Sequence, residues 1–332
     1  MRMDGIESVN GSKYRQKLNV LWNLTKRCNF DCSYCTSAFH DNYSKPIPIE
    51  LLKKAVDKII LTVNGNRRNA HFTFVGGEPT VHPKFKDLLL YINDNRQGDQ
   101  IGIQTNFTRP NKWFMDLYEE TILSTLNVSL HFEYEWEKMA NKMIEYDLFT
   151  RRFRGQIGYA ETGLVVNVMA HKDYKAELEK AIKLFNTYDV KYIIRKVRNP
   201  RDVGPGEYST LEQYDDSYYE DNEYPYWIDS NNPKFNHKYR FIEIREDNEN
   251  KLVHPNEIMK RKKNYFKGWK CDVGIRTMVI GFDGEVFGAH CGVGGSLGNV
   301  YDDSTLILKT EPTICTANYC DCTFDISIPK VK

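Results

Sequence analysis

The chain has 332 residues, 46 basic against 45 acidic, with 41% hydrophobic and 27% charged residues. That balance is ordinary for a globular protein, and its length suits a single barrel or two packed domains. A net charge of +1 argues against a protein that tracks nucleic acid through its phosphates. The polar stretch from Met1 to Lys17 argues against a signal peptide, and no apolar run reaches the length of a membrane span. The cytoplasm is therefore the expected compartment.

From Leu18 onward the sequence alternates strand-like and helix-like segments. Leu18, Val20, Trp22 and Leu24 alternate with Asn19, Leu21 and Asn23, which predicts a mostly buried strand. Leu52, Ala55, Val56 and Ile59 recur at helical spacing. Phe72 to Val75 reads as a short strand ending in Gly76-Gly77, and residues 83–93 as a helix with proline in its first turn. Further strands are expected at Ile101–Gln104, Leu126–Leu130, Leu164–Met169 and Tyr192–Val197, with helical segments between them. About six such units predict an α/β fold, a partial (β/α)6 TIM-like barrel, with the chemistry at the C-terminal ends of its strands.

The barrel is expected over residues 13–200, after an N-terminal tail at 1–12. Residues 201–255 form a connector rich in tyrosine and acid, ending in a hairpin of Phe241–Arg245 with Lys251–His254. It reads as a solvated linker, with a lid or substrate wall as the alternative. Residues 256–332 are expected as a small α+β cluster-binding domain, with a second hairpin turning at Phe282-Asp283-Gly284. The dense basic run from Lys260 to Lys270 reads as a solvated face, or else as a patch for a phosphorylated or acidic substrate.

The eight cysteines split into three near the start and five after Gly268. In a reducing compartment such clusters point to metal or catalysis rather than disulfides. Cys28-Asn-Phe-Asp-Cys32-Ser-Tyr-Cys35 sets three soft thiolates on one loop just after a strand. A structural zinc site wants four ligands, usually as two separated pairs. Three suit a [4Fe–4S] cluster with one iron open, the alternatives being a zinc knuckle or core cysteines.

With these residues the chain resembles the radical S-adenosylmethionine (SAM) enzymes. Their three-cysteine signature follows the first barrel strand, and their Gly-Gly-Glu-Pro stretch after the second is matched by Gly76-Gly77-Glu78-Pro79. The resemblance implies that Tyr34 lies near the adenine, that the glycines let backbone approach the methionyl ammonium, and that Glu78 adds a negative partner. It also implies cofactor-facing roles for Asn106 (in Thr105-Asn106-Phe107, where relatives often read Thr-Asn-Gly), Ser129, Asn167 and Arg195. Leu130-His131-Phe132 departs from the family pattern, and His131 is expected to face the substrate or to be a satisfied strand-end histidine.

The C-terminal part resembles the twitch and SPASM auxiliary-cluster domains, on Cys271, Asp283-Gly284, Cys291, Gly298-Asn299 and the trio Cys315, Cys320 and Cys322. Five thiolates suffice for one auxiliary [4Fe–4S] cluster held by four of the five, with a zinc ribbon on the same sulfurs as the alternative. One of Cys315, Cys320 and Cys322 would then be a spare thiol, and a sharp bend at Asp321 is needed if both Cys320 and Cys322 reach one cluster. The spare thiol reads as structural or as a hydrogen donor to a substrate radical.

The implied activity is reductive cleavage of SAM to a 5′-deoxyadenosyl radical that takes a hydrogen atom from substrate, oxidising a small molecule or modifying a peptide. An electron donor such as flavodoxin or ferredoxin is implied too. Small-molecule, nucleotide-linked and peptide substrates all stay open, although the 17 residues before the first strand are too few for a leader-peptide recognition domain. The competing class is a non-catalytic iron–sulfur or zinc-binding protein, against which the intact Gly76–Pro79 segment argues.

Overall fold

The computed structural model describes residues 6–11, 17–65, 69–95, 100–156, 163–197, 242–320 and 322–332. Six parallel strands run in chain order: β2 (Lys17–Thr25), β3 (Asn69–Gly76), β4 (Gln100–Thr105), β5 (Thr125–Leu130), β6 (Leu164–Ala170) and β7 (Tyr192–Lys196). They are joined by helices α1 (Ile49–Gly65), α2 (Phe85–Asn95), α3 (Asn111–Glu119), α4 (Trp136–Thr150) and α5 (Lys175–Thr187). The preceding strand β1 (Ile6–Gly11) belongs to another sheet.

Alternation along each strand explains the layering. Leu18, Val20, Trp22 and Leu24 are 0–1% exposed and join one core with Leu52, Val56 and Ile59 of α1. Asn19, Leu21 and Asn23, one residue out of phase, line a cavity on the other face, as do His71 and Thr73 of β3. A strand has period two, so one face packs apolar groups on helices while the other offers polar groups to the interior.

The sheet does not end at β2. After helix α6 (Pro255–Lys260) and strands β8 (Ile242–Glu246) and β9 (Glu249–Val253), β11 (Thr277–Ile280) adds in parallel to β2. β12 (Glu285–Phe287) and β13 (Ser296–Asn299) then extend it antiparallel. Both expected hairpins form, β8 with β9 and β11 with β12. Gly284, at φ +85, makes the second turn, and a Cβ there would meet the Tyr301 ring at 2.2 Å.

A second, six-stranded sheet runs β14-β10-β15-β1-β8-β9, with β10 (Lys270–Cys271), β14 (Thr313–Ile314) and β15 (Lys330–Val331). Thus the stretch expected as a tail includes a strand that pairs with the C-terminal end of the chain through Ser8 and Val331. The tyrosine-rich stretch 201–241 and Asp321 lie outside the described residues.

Two members of the basic run, Arg261 and Lys263, are accounted for here. Glu246 is 3% exposed and takes Arg261, Lys263 at 2.8 Å and Lys251 at 3.3 Å. Burial raises its pKa, but the bonds to Lys263, Arg261 and Lys251 outweigh it and hold it at about 2, from 4.5. A depressed carboxyl stabilises the fold above its unfolded pKa and loses that contribution as pH falls toward the folded one. The shift corresponds to about 3 kcal/mol, reduced to roughly 2 because the cationic partners are partly in water. Glu246→Gln should therefore lower stability by about 2 kcal/mol at pH 7. Melting curves of variant and wild type should converge as pH drops from 4.5 to about 2. A gap that does not change with pH would show that packing, not charge, holds this corner.

Candidate active site

The cysteine loop follows β2 and is pinched shut at its base. Cys28 N–H donates to the Asp41 carbonyl at 2.8 Å, and Asp41 N–H to the Lys26 carbonyl at 2.9 Å. Inside it, Cys35 N–H donates to the Cys32 carbonyl at 2.9 Å. The thiols of Cys28, Cys32 and Cys35 line a cavity of about 500 Å³ with Tyr34, Gly76, Gly77, Asn106, Ser129, Asn167 and Arg195. All but two of the residues expected at the cofactor are thus gathered in one place. Burial pushes the Cys32 thiol up to about 12 and the Cys35 thiol up to about 11.

The two exceptions are Glu78 and Pro79. Glu78 is 0% exposed and does not line the cavity. Its carboxylate accepts the Thr80 N–H at 2.9 Å, the Thr80 and Thr105 hydroxyls at 2.6 and 2.8 Å, and the Asn106 N–H at 2.6 Å. Burial raises its pKa against these four donors. Glu78 therefore fastens the end of β3 to the end of β4, and Pro79 opens the short turn Pro79–Val81 behind it.

The glycines have a close neighbour of their own. A Cβ on Gly76 would meet the Thr25 carbonyl at 2.4 Å, and one on Gly77 the Lys26 and Arg27 carbonyls at 2.3 and 2.5 Å. Gly77 N–H donates to Thr25 and Glu78 N–H to Arg27, at 2.7 and 2.9 Å. The two glycines let the strand end lie directly on the backbone that leads into the cysteine loop.

A clamp on this loop comes from residues 131–134, just after β5. Ser33 donates through N–H and hydroxyl to Glu133, at 2.9 and 2.5 Å. The Tyr134 ring stacks on Phe30 at 3.7 Å, and its hydroxyl accepts from Asp31 N–H. His131 Nδ1 is 2.5 Å from the Tyr34 hydroxyl and 3.5 Å from Cys32 Sγ. Burial holds His131 at about 4, so it is neutral at pH 7. His131 is held by partners of the cysteine loop and also stands on the cavity wall, so both of its expected features are present. No local pattern marks Glu133 or Tyr134, because their partners lie about 100 positions away.

Asn106 reaches the loop as well, with its amide 2.8 Å from Asn29 Oδ1 and 3.9 Å from Cys28 Sγ. Phe107 after it has φ +63, the left-handed region that glycine adopts freely. Here a fully buried ring, packed on Phe114 at 4.5 Å, accompanies that conformation, and Lys142 binds the Phe107 carbonyl at 2.8 Å.

Four of the five C-terminal cysteines share one apolar cluster, and the fifth lies at its edge. Cys271, Cys291, Cys315 and Cys320 are all buried in one cluster behind the second sheet. Cys322 is half-buried and lines the cavity already described. It caps helix α7 (Thr323–Ile326), accepting the Asp325 N–H at 3.3 Å, and lies 3.5 Å from His290 Nδ1. His290, Cys322 and Asp325 have ligand-type atoms within 4.8 Å of one another. Asp325 is already committed, accepting the backbone N–H groups of His290 and Cys291 at 3.1 and 2.9 Å.

A second cavity of about 550 Å³ shares Gly76, Gln104, Asn167, Arg195, Cys322 and Thr323 with the first, so the two adjoin. It runs along the inner face of the strands to Asn19, His71 and Arg276.

Comparison with known proteins follows the same lines. Residues 22–151 match the Radical SAM superfamily. An Fe-coproporphyrin III synthase from Methanosarcina barkeri is 29% identical over 112 residues, which are 33% of this chain and 26% of that protein. The match thus spans about a quarter of the curated relative. Streptococcus suis SuiB bound to precursor peptide SuiA has 13% identity and a TM-score of 0.50, covering 87% of this chain and 63% of that one. This likeness is one of fold. Native anSMEcpe with bound AdoMet is 18% identical at a TM-score of 0.49, covering 87% and 79%. No helix among the described residues is long and apolar enough to cross a membrane.

Proposed function

We propose that the protein is a radical SAM enzyme that acts on a substrate held inside the half-open barrel, with an auxiliary cluster beside it. The observation that carries this reading is the convergence of Cys28, Cys32 and Cys35 on one cavity, within a segment that matches the Radical SAM superfamily. The donor set fits a cluster with one open iron, being three soft thiolates on one loop with no fourth thiol of that loop. When bound, the cluster and SAM supply one-electron cleavage of a carbon–sulfur bond and removal of a hydrogen atom from substrate.

The chain's own residues set the geometry. Asn106, Ser129, Asn167 and Arg195 face the same cavity and offer hydroxyl, amide and guanidinium groups to the polar parts of SAM. Tyr34 presents its ring beside His131 at 6.0 Å. The strand interior supplies a second compartment for substrate, where the cofactor chemistry proceeds away from bulk water.

Cys271, Cys291, Cys315 and Cys320 would hold the auxiliary [4Fe–4S] cluster, and Cys322 is the spare thiol. It faces the shared cavity, where it can return a hydrogen atom to a substrate carbon. That transfer leaves a Cys322 thiyl radical, which one electron from the external reductant and one proton restore to the thiol.

The test is anaerobic reconstitution. With dithionite and SAM the protein should release 5′-deoxyadenosine, slowly, even without substrate, and none under several reductants would overturn the assignment. Cys322→Ala should keep all its iron. Alanine at Cys271, Cys291, Cys315 or Cys320 should lose the auxiliary share, and in loaded wild type iodoacetamide should label Cys322 alone among the five. Loss of auxiliary iron in Cys322→Ala would make it a ligand. Stoichiometric zinc in place of iron would establish a zinc ribbon.

A further inference from the structure

The far half of the cavity is lined by none of the three loop cysteines. A strand rises about 3.3 Å per residue, so Asn19 lies roughly 20 Å from the Thr25 end that leads into the cysteine loop. Arg276 stands at that far end. Its carbonyl accepts the Asn19 N–H at 2.9 Å, and the residue lines the cavity.

Arg276 as a residue is half-buried, and among the described residues no hydrogen bond or ion pair engages its guanidinium. Neither compartment is lined by an aspartate or glutamate among the described residues. Among the described residues the arginines lining them are Arg276 and Arg195, and Arg195 is bonded through Nε to Asn167 Oδ1 at 3.2 Å near the cysteine end. A charge half-withdrawn from water without a partner is unfavourable unless something neutralises it. The guanidinium fork matches a planar carboxylate or a phosphate, binding two oxygens at once. Asn19 and Thr73 add neutral polar groups on the same wall.

We propose that Arg276 anchors an anionic group of the substrate, a carboxylate or phosphate, at the end of the cavity remote from the three cysteines. This rests on the radical SAM reading only for its orientation: with the anion held at Arg276, the rest of the molecule extends toward Gly76 and Cys322. The substrate is then elongated and small enough for about 550 Å³, negative at one end and reactive toward the other.

The experiment is chemical modification of the cluster-loaded protein, with SAM present, by phenylglyoxal, followed by peptide mass spectrometry. Arg276 should react, and inorganic phosphate or acetate at several times its Kd should slow that reaction about fivefold. Protection by phosphate alone identifies a phosphorylated substrate; protection by both identifies a carboxylate site. Phosphate should also raise the Tm of wild type and not of Arg276→Gln. An unreactive Arg276, or modification slowed by neither anion, overturns the subsite. Absence of 5′-deoxyadenosine from the same wild-type sample overturns the radical reading instead, and leaves the anion result to be judged by itself.

Discussion

Changing Cys28, Cys32 and Cys35 together to alanine should abolish 5′-deoxyadenosine formation and halve the iron. Wild type should carry about eight irons after reconstitution and the triple variant about four, one cubane each. The structure gives a reason to expect a clean split. The first three thiols lie on a loop that hangs from β2 and is held by residues 131–134, whereas Cys271, Cys291, Cys315 and Cys320 sit in a separate buried cluster. Removing the loop thiols takes nothing from either apolar core cluster, since Cys28 is half-buried, Cys35 exposed and Cys32, though buried, packs in neither. The auxiliary site should therefore load normally, with an unchanged spectrum for the remaining cluster. A triple variant with no iron at all would mean that the two sites assemble together. Retained SAM cleavage would refute the assignment of this loop.

Glu78→Ala should destabilise the protein strongly, and this is where the structure redirects the expectation from sequence. Resemblance implies a carboxylate facing SAM, for which the variant would lose about tenfold in affinity and little else. In the structure the carboxylate is buried and receives four donors from Thr80, Thr105 and Asn106. Alanine would leave two backbone N–H groups and two hydroxyls without their acceptor. Each buried orphan costs about 1–3 kcal/mol, so a loss of roughly 4 kcal/mol is expected after the hydroxyls find new partners. For a chain of this size that lowers Tm by roughly 6 °C. The Asn106 loop would also loosen, because its backbone N–H is one of the four. Differential scanning calorimetry of the metal-free variant is the measurement. A normal Tm with weakened SAM binding would return Glu78 to the cofactor.

Much of the strand order was legible. Leu18 to Leu24 shows the alternation that separates helix-facing from interior residues, and β2 has the same bounds within a residue or so. The first cysteine loop was legible because its three thiols fall within eight residues, where spacing alone restricts geometry. Strand β1 was not, since Ile6 and Val9 are its only buried apolar side chains and its pairing partners are Glu243–Glu246 and Lys330–Val331, more than 200 positions away. The addition of β11 to the edge of β2 left no trace in either segment, because edge pairing uses backbone groups that every sequence carries.

The sequence by itself determined that three thiols lie together, that a glycine pair follows a strand close by, and that five more cysteines form a second set. These are local statements, and local spacing decides them. Only the tertiary structure decided which of the five lines the cavity beside the first three. Cys320 and Cys322 are two residues apart, yet one is packed in the core and the other caps α7 at the cavity wall. That choice depends on where Asp325 and His290 anchor the helix. It likewise decided that Glu78 turns inward and that Arg276 reaches the cavity, since both follow from which distant backbone lies alongside, a relation that no stretch of sequence contains.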